Sequence, residues 1–257
     1  FLFKKKFLKM LHRKRGNFNI FRSAFILGGN SEIAQEICLQ LVQKGTKKFH
    51  FVSRNSKKNE IFLKRLKDQF DLEITSEEFD LLKGDLKVKP NIGFYDLYII
   101  AAGYLGNSIL AQNDLGEALK ISRVNYYSLI PWINSITTED RISKPGYLWI
   151  LSSVAGDLGR PSNHHYGAAK AALTIFCEGL HNTLHKKPFK LRIIKAGLIY
   201  TSTTIKKAPK ILCASKKYIA KKLIHNPDRE GIEYLPFWWL IVMKIISILP
   251  KSIISKL

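Results

Sequence analysis

Tyr166 and Lys170 stand four residues apart in the run His165-Tyr166-Gly167-Ala168-Ala169-Lys170. On a helix that spacing puts both side chains on one face. A phenol ordinarily titrates at about pH 10, and an ammonium beside it favours the phenolate, drawing it toward the range useful for proton transfer near neutrality. Ser153 lies thirteen residues earlier, at the end of the apolar run Tyr147 to Ser152. From there its hydroxyl could hydrogen-bond the same carbonyl oxygen that the tyrosine protonates. Together the three residues read as an acid–base site acting on a carbonyl.

A second constellation sits near the start. The apolar run Ser23 to Leu27 leads into Gly28-Gly29-Asn30-Ser31-Glu32-Ile33-Ala34, and a helical pattern follows. Small residues at a strand-to-helix turn let the backbone approach a pyrophosphate, and the helix start offers unpaired N–H groups and a positive dipole end. Gly28, Asn30, Ser31, Glu32 and Ile33 are the candidate contacts, against the plainer reading of a tight turn with no ligand. The next apolar run, Phe49 to Ser53, ends at Arg54. An acidic residue there would accept the hydrogen bonds of a ribose 2′-hydroxyl, whereas a guanidinium suits a 2′-phosphate, so NADP is preferred and NAD stays open. The alternative is an ordinary surface arginine. Asp80, just beyond a third strand, is positioned to accept from an adenine amine.

These residues need a frame, and the chain supplies one. Strands are expected at Ser23 to Leu27, Phe49 to Ser53, Glu73 to Phe79, Asp96 to Ala101, Tyr147 to Ser152 and Leu191 to Ala196. Helices are expected at Glu32 to Gln43, Ile61 to Phe70, Leu115 to Ile136 and Tyr166 to Leu184. Apolar strands alternating with helices imply an α/β fold, a single doubly wound parallel sheet of Rossmann type with helices on both faces. The division expected is a basic arm over 1–22, one domain over 23–235 and an apolar segment over 236–257.

Composition bounds the partners. With 257 residues and 46% hydrophobic content the chain can bury one sizeable core, which excludes disorder and collagen-like repetition. The balance of 42 Lys and Arg against 20 Asp and Glu, a net charge of +22, predicts attraction to polyanions. Lysine is spread along the whole chain without a recognised binding motif, so nucleic acid is not expected. The arm FLFKKKFLKMLHRKR is either a solvated tail or a contact to anionic lipid. Near the other end, FWWLIVMKIISIL is thirteen residues long with one charge, Lys244, and is too short to span a bilayer. It either packs on the domain or a second subunit, or lies in a membrane interface. The three sparse cysteines, Cys38, Cys177 and Cys213, favour a reducing compartment, and no metal site is expected. His164 and His165 read as loop residues near a site mouth.

The ordered set of glycine turn, strand-end serine and Y-x-x-x-K resembles the short-chain dehydrogenase/reductase family from about Ser23 to Thr201. The resemblance implies a nicotinamide-dependent oxidoreductase with four catalytic positions, Asn125, Ser153, Tyr166 and Lys170. By it Asn125, in Arg123-Val124-Asn125-Tyr126-Tyr127, holds a water of a proton relay, and Tyr166 and Lys170 also lie against the cofactor, Lys170 on the nicotinamide ribose. Ala102 and Gly103 match the loop after the fourth strand, and Ile199 and Thr201 the segment that meets the carboxamide. Departures are plain: Glu32 and Ala34 stand where the family has its second and third glycines, Ile100-Ala101-Ala102-Gly103 replaces N-N-A-G, and Ala196-Gly197 replaces P-G. Together ILGGNSEIAQEIC, AAGYLGN, LSSVAGDLGRPSNHHYGAAKAAL and ILPKSIISKL look like the decaprenylphosphoryl-2-keto-ribose reductase branch. That likeness implies a polyprenyl-phosphate pentose substrate, a partner oxidase, a homo-oligomer, and a cytoplasmic location, peripheral on the membrane. A reductase of 3-oxoacyl or 3-ketosphingoid lipids, or a non-catalytic dinucleotide sensor, are the other readings.

Overall fold

The computed structural model describes residues 21–201 and 212–254; most of the basic arm, the segment 202–211 and residues 255–257 lie outside the described residues. Seven strands form one sheet: β1 (Ser23–Leu27), β2 (Lys48–Ser53), β3 (Glu73–Glu78), β4 (Leu97–Ile100), β5 (Gly146–Ser153), β6 (Phe189–Ala196) and a later strand, Gly231–Leu235. Two short strands, β7 (Ile199–Tyr200) and β8 (Ala214–Ser215), pair with each other, so the last sheet strand is β9. All neighbours are parallel, in the order β3-β2-β1-β4-β5-β6-β9.

The helices are α1 (Glu32–Gln43), α2 (Ser56–Gln69), α3 (Ser108–Asn113), α4 (Leu115–Asn125), α5 (Ile130–Ile136), α6 (Glu139–Ile142), α7 (His164–Thr183), α8 (Lys216–His225), α9 (Trp238–Ser247) and α10 (Lys251–Ile254). Alternation along β1 divides the core between the sheet's faces. Ala24 and Ile26 pack with Ile37 and Leu41 of α1 and Ile219 and Leu223 of α8. Phe25 and Leu27 pack with Trp132 and Ile133 of α5 and Leu173 of α7. The register aligns Leu27 with Val52 and Ile100, and Ile100 with Ile150. The turns that leave these strands therefore open on one edge, and the strand order reverses beside β1, where open α/β sheets bind ligands.

Several expectations change. The helix expected over Leu115 to Ile136 is broken: α4 ends at Asn125, Tyr127–Leu129 form a 3-10 turn, and α5 restarts at Ile130. Pro131 explains the break, because it lacks the N–H that would reach back to the Tyr127 carbonyl. Helix α2 begins five residues before the expected Ile61 because the Asn55 side chain caps it at Lys58 N. Phe21, assigned to the arm, is 2% exposed and packs edge-on against Trp149, so the core begins before residue 23. Strand β9 and helices α3 and α8 were not expected. The apolar segment does pack on the domain: Trp239 and Met243 of α9 are buried with Val154, beside Leu158 and Leu212. Its other face stays exposed. No helix among the described residues is long and apolar enough to cross a membrane.

Candidate active site

Ser153 closes β5, and the turn after it leads to α7. Its Oγ accepts the Ala155 N–H at 3.1 Å, which leaves the hydroxyl proton for another acceptor. Tyr166, in the first turn of α7, is hydrogen-bonded to that Ser153 hydroxyl. Lys170, one turn on, is 3% exposed; its Nζ donates to the Leu151 carbonyl at 3.0 Å and stands 5.9 Å from the centre of the Tyr166 ring. The neighbouring Ser152 hydroxyl meets Thr174 Oγ1 at 2.6 Å, tying α7 to β5 beside this site.

The electrostatics differ from the expectation. Burial raises the Tyr166 phenol above its ordinary range, and the Ser153 hydroxyl offsets this only in part. Burial also lowers Lys170 to about 8. Desolvation disfavours each charged form, so it outweighs the help an ammonium would give the phenolate. The resting site thus holds a protonated phenol, the form able to donate a proton. Lys170 loses its own proton as pH rises through about 8, so kcat/KM for carbonyl reduction should fall on that alkaline side. A pH–rate profile of the free enzyme checks this; an activity that keeps rising past that point would contradict it.

Asn125 is fully buried at the break after α4. Its Nδ2 donates to the Tyr104 and Ile121 carbonyls at 2.6 and 2.9 Å, and its Oδ1 accepts the Tyr104 N–H at 3.1 Å. The amide side chain is thus committed to holding the loop that carries Gly103, where an added Cβ would lie 3.1 Å from Asn125 Oδ1 and 3.7 Å from Lys170 Nζ. The Leu129 N–H turns to the Tyr126 carbonyl and so does not bond the Asn125 carbonyl. Sequence reasoning missed Glu117, which is 7% exposed and accepts the Tyr104 hydroxyl at 2.8 Å and the Asn107 N–H at 3.0 Å, bracing the same loop. Asp114, three residues before it, caps α4 by accepting from Gly116 N and Glu117 N.

At the other end of the crevice, Gly28 has φ +95°, and a Cβ there would lie 2.4 Å from Ala102 N, so glycine lets the two loops meet. Ser31 caps α1 at Ala34 N. Asn30 Nδ2 donates to the Asn55 carbonyl at 3.1 Å, while its buried Oδ1 has no hydrogen-bond partner among the described residues. Ile33 packs against the core below. Arg54 is exposed just after β2, and no hydrogen bond or ion pair holds it among the described residues. Asp80 Oδ1 accepts the Leu82 N–H at 3.0 Å, which shapes the turn after β3. Glu32, which stands in place of a glycine, would oppose a diphosphate, but Lys216 of α8 meets its carboxylate at 2.9 Å. That compensating lysine was also unforeseen. The helix start, the glycine turn and the exposed guanidinium fit the phosphates of a phosphorylated dinucleotide, while the orphaned Asn30 oxygen, an acceptor, fits one of its hydroxyl or amine donors.

The remaining expected residues border the same edge. Ile199 is buried in β7, Thr201 follows it, and residues 202–211 lie outside the described residues. His164 and His165 lie just before Tyr166 with ring centres 4.2 Å apart and their planes tilted by 37°. Gly197, after β6, lies against the Trp239 indole so closely that a Cβ would meet it at 2.1 Å, a packing reason for this glycine. No group of three or more metal-ligating side chains occurs among the described residues.

Comparison with known proteins gives a consistent result. Residues 22–211 match the family described as short chain dehydrogenase. The chain is similar to an uncharacterized oxidoreductase of Mycobacterium tuberculosis, 27% identical over 201 residues that cover 76% of this chain and 80% of that one. It is also similar to the 3-oxoacyl-[acyl-carrier-protein] reductase FabG of Staphylococcus aureus, 23% identical over 188 residues, 71% of this chain and 76% of that one. Among solved structures, ElxO with NADP bound superposes with a TM-score of 0.71 at 18% identity, covering 86% of this chain and 99% of that chain.

Proposed function

The chain belongs to the short-chain dehydrogenase family, and from that premise we propose that it reduces a ketone with NADPH at the Ser153, Tyr166, Lys170 site. The observation that carries the reading is the part-buried Tyr166 held by Ser153 one helical turn from a buried lysine. The nicotinamide cofactor, when bound, supplies the hydride to the ketone carbon. Tyr166 gives its proton to the developing alkoxide, so ketone and NADPH become alcohol and NADP, and Ser153 donates a hydrogen bond to the same oxygen. Lys170 restores the tyrosine's proton, and the Asn125 carbonyl, left out of the helical pattern, is the acceptor for a relay water. Gly28, Asn30, Ser31 and Ile33 would line the diphosphate, with Lys216 neutralising Glu32. Ala102, Gly103, Ile199 and Thr201 would line the nicotinamide half, and Asp80 the adenine.

Arg54 sets the cofactor preference. Losing a charge-assisted contact to a 2′-phosphate costs about 1.5–3 kcal/mol, roughly ten- to 150-fold in affinity. Arg54→Ala should therefore weaken NADPH by that factor and leave NADH almost unchanged. Fluorescence titration of both cofactors measures it, and equal affinity of the unaltered protein for the two would remove Arg54 from the site.

For the ketone, the likeness to decaprenylphosphoryl-2-keto-ribose reductases supports the 2-keto group of a polyprenyl-phosphate pentose, reduced to the epimeric alcohol in glycan synthesis. An oxidation of the corresponding alcohol must then supply it. The similarity to a 3-oxoacyl reductase favours a second reading, reduction of a 3-oxoacyl thioester by the same residues. NADPH consumption with each ketone separates them.

A further inference from the structure

Helix α9 is apolar on both faces. One face, Trp239 and Met243, is buried against Val154, the residue after Ser153. The opposite stripe is exposed among the described residues: Phe237 is 64% exposed, Ile241 51%, Ile245 52% and Ile248 81%. Their spacing, four, four and three residues, makes one line along the helix and its two cap residues, and the exposed Lys244 shares that face, three residues after Ile241 and four before Ile248. Scattered exposed apolar residues are ordinary, but a line of four along one helix is not.

What borders this stripe identifies its partner. The Trp238 ring lies 6.1 Å from Tyr218 of α8, and Lys222 stands over that Tyr218 ring at 5.7 Å. Helix α8 thus joins the edge of α9, and its Lys217, Lys221 and Lys222 are exposed. Neither α8 nor α9 contains an aspartate or glutamate, and among the described residues only Lys216 of the α8 lysines is engaged by a carboxylate, that of Glu32. An apolar line with a purely cationic flank matches an anionic bilayer, where side chains enter the acyl boundary and ammonium groups meet phosphates. A second copy of the chain fits less well, because an isologous pairing would bring two sets of lysines to one rim.

We propose that the outer face of α9 and the α8 lysines form a docking face for the surface of an anionic lipid bilayer. The attachment is peripheral and reversible. Because the inner face of α9 rests on Val154 and Leu158, docking would hold the mouth of the catalytic crevice at the lipid surface. That consequence for substrate rests on the lipid-linked reading; the docking face itself does not.

Flotation of the full-length protein with phosphatidylcholine vesicles, and with vesicles that also contain phosphatidylglycerol, tests the proposal. The protein should float with the anionic vesicles at low salt, and much less at high salt or without phosphatidylglycerol. Ile241→Glu with Ile245→Glu should abolish flotation, while circular dichroism and NADPH consumption with a water-soluble ketone stay as before. Lys217→Ala and Lys221→Ala should each weaken vesicle affinity about fivefold at low salt. Failure of the unaltered protein to float with anionic vesicles at low salt would overturn the proposal. So would a sedimentation result in which the double glutamate variant splits a dimer and vesicle binding persists. Flotation without turnover of a polyprenyl-phosphate ketone would leave the docking face standing and remove only the substrate reading.

Discussion

Tyr166→Phe is expected to lower kcat for ketone reduction by about 10²–10⁴-fold, the usual worth of a positioned general acid. The substitution deletes one hydroxyl and keeps the ring that packs near Lys170. Its fold should be unchanged, and NADPH affinity should barely move, since the contacts assigned to the diphosphate and the 2′-phosphate lie at the other end of the crevice. Ser153→Ala should cost less, because Ser153 supports the oxygen without supplying the proton. Steady-state kinetics beside an NADPH titration reads both quantities. Full turnover in a folded Tyr166→Phe protein would show that the proton comes from elsewhere.

The largest effect on stability is expected at Glu233. Arg192 is 1% exposed in the middle of β6; its Nε donates to Glu233 Oε2 of β9 at 2.7 Å, and its Nη1 to the Leu223 and Asn226 carbonyls at 3.0 and 2.9 Å. One guanidinium thus ties the last sheet strand and the end of α8 to the core. Glu233→Ala would leave that charge buried and uncompensated, a loss of about 3–5 kcal/mol. Urea unfolding should show the midpoint falling while its slope stays the same. A loss below about 1 kcal/mol, the worth of a surface pair, would mean that water reaches the guanidinium.

The sequence made the frame legible where burial is two-sided. Strands such as Leu97–Ile100 read as unbroken apolar runs, and the glycine turn and the Tyr166–Lys170 spacing are local facts that need no tertiary knowledge. Legibility failed where a residue answers to distant partners. Strand β9 carries Glu233 inward because Arg192 awaits it, so its pattern does not read as a buried strand. Glu32 looks hostile to a diphosphate until Lys216 is brought to it across 184 residues. The lowered phenol expected beside Lys170 rested on charge alone, and the burial that reverses the direction is visible only once α7 is seated on β5. Asn125 was legible as a position, but its clamp on Tyr104 depends on the break that Pro131 imposes.

The central claim is hydride transfer to a ketone with proton delivery from Tyr166. It is tested most directly by incubating the purified protein with NADPH and the polyprenyl-phosphate 2-keto-pentose, or a 3-oxoacyl thioester, and following both NADPH absorbance and alcohol formed. The account predicts one alcohol produced for each NADPH consumed with at least one of these ketones, and almost none by Tyr166→Phe. A folded protein that binds NADPH, yet consumes none of it with either ketone, would contradict the account.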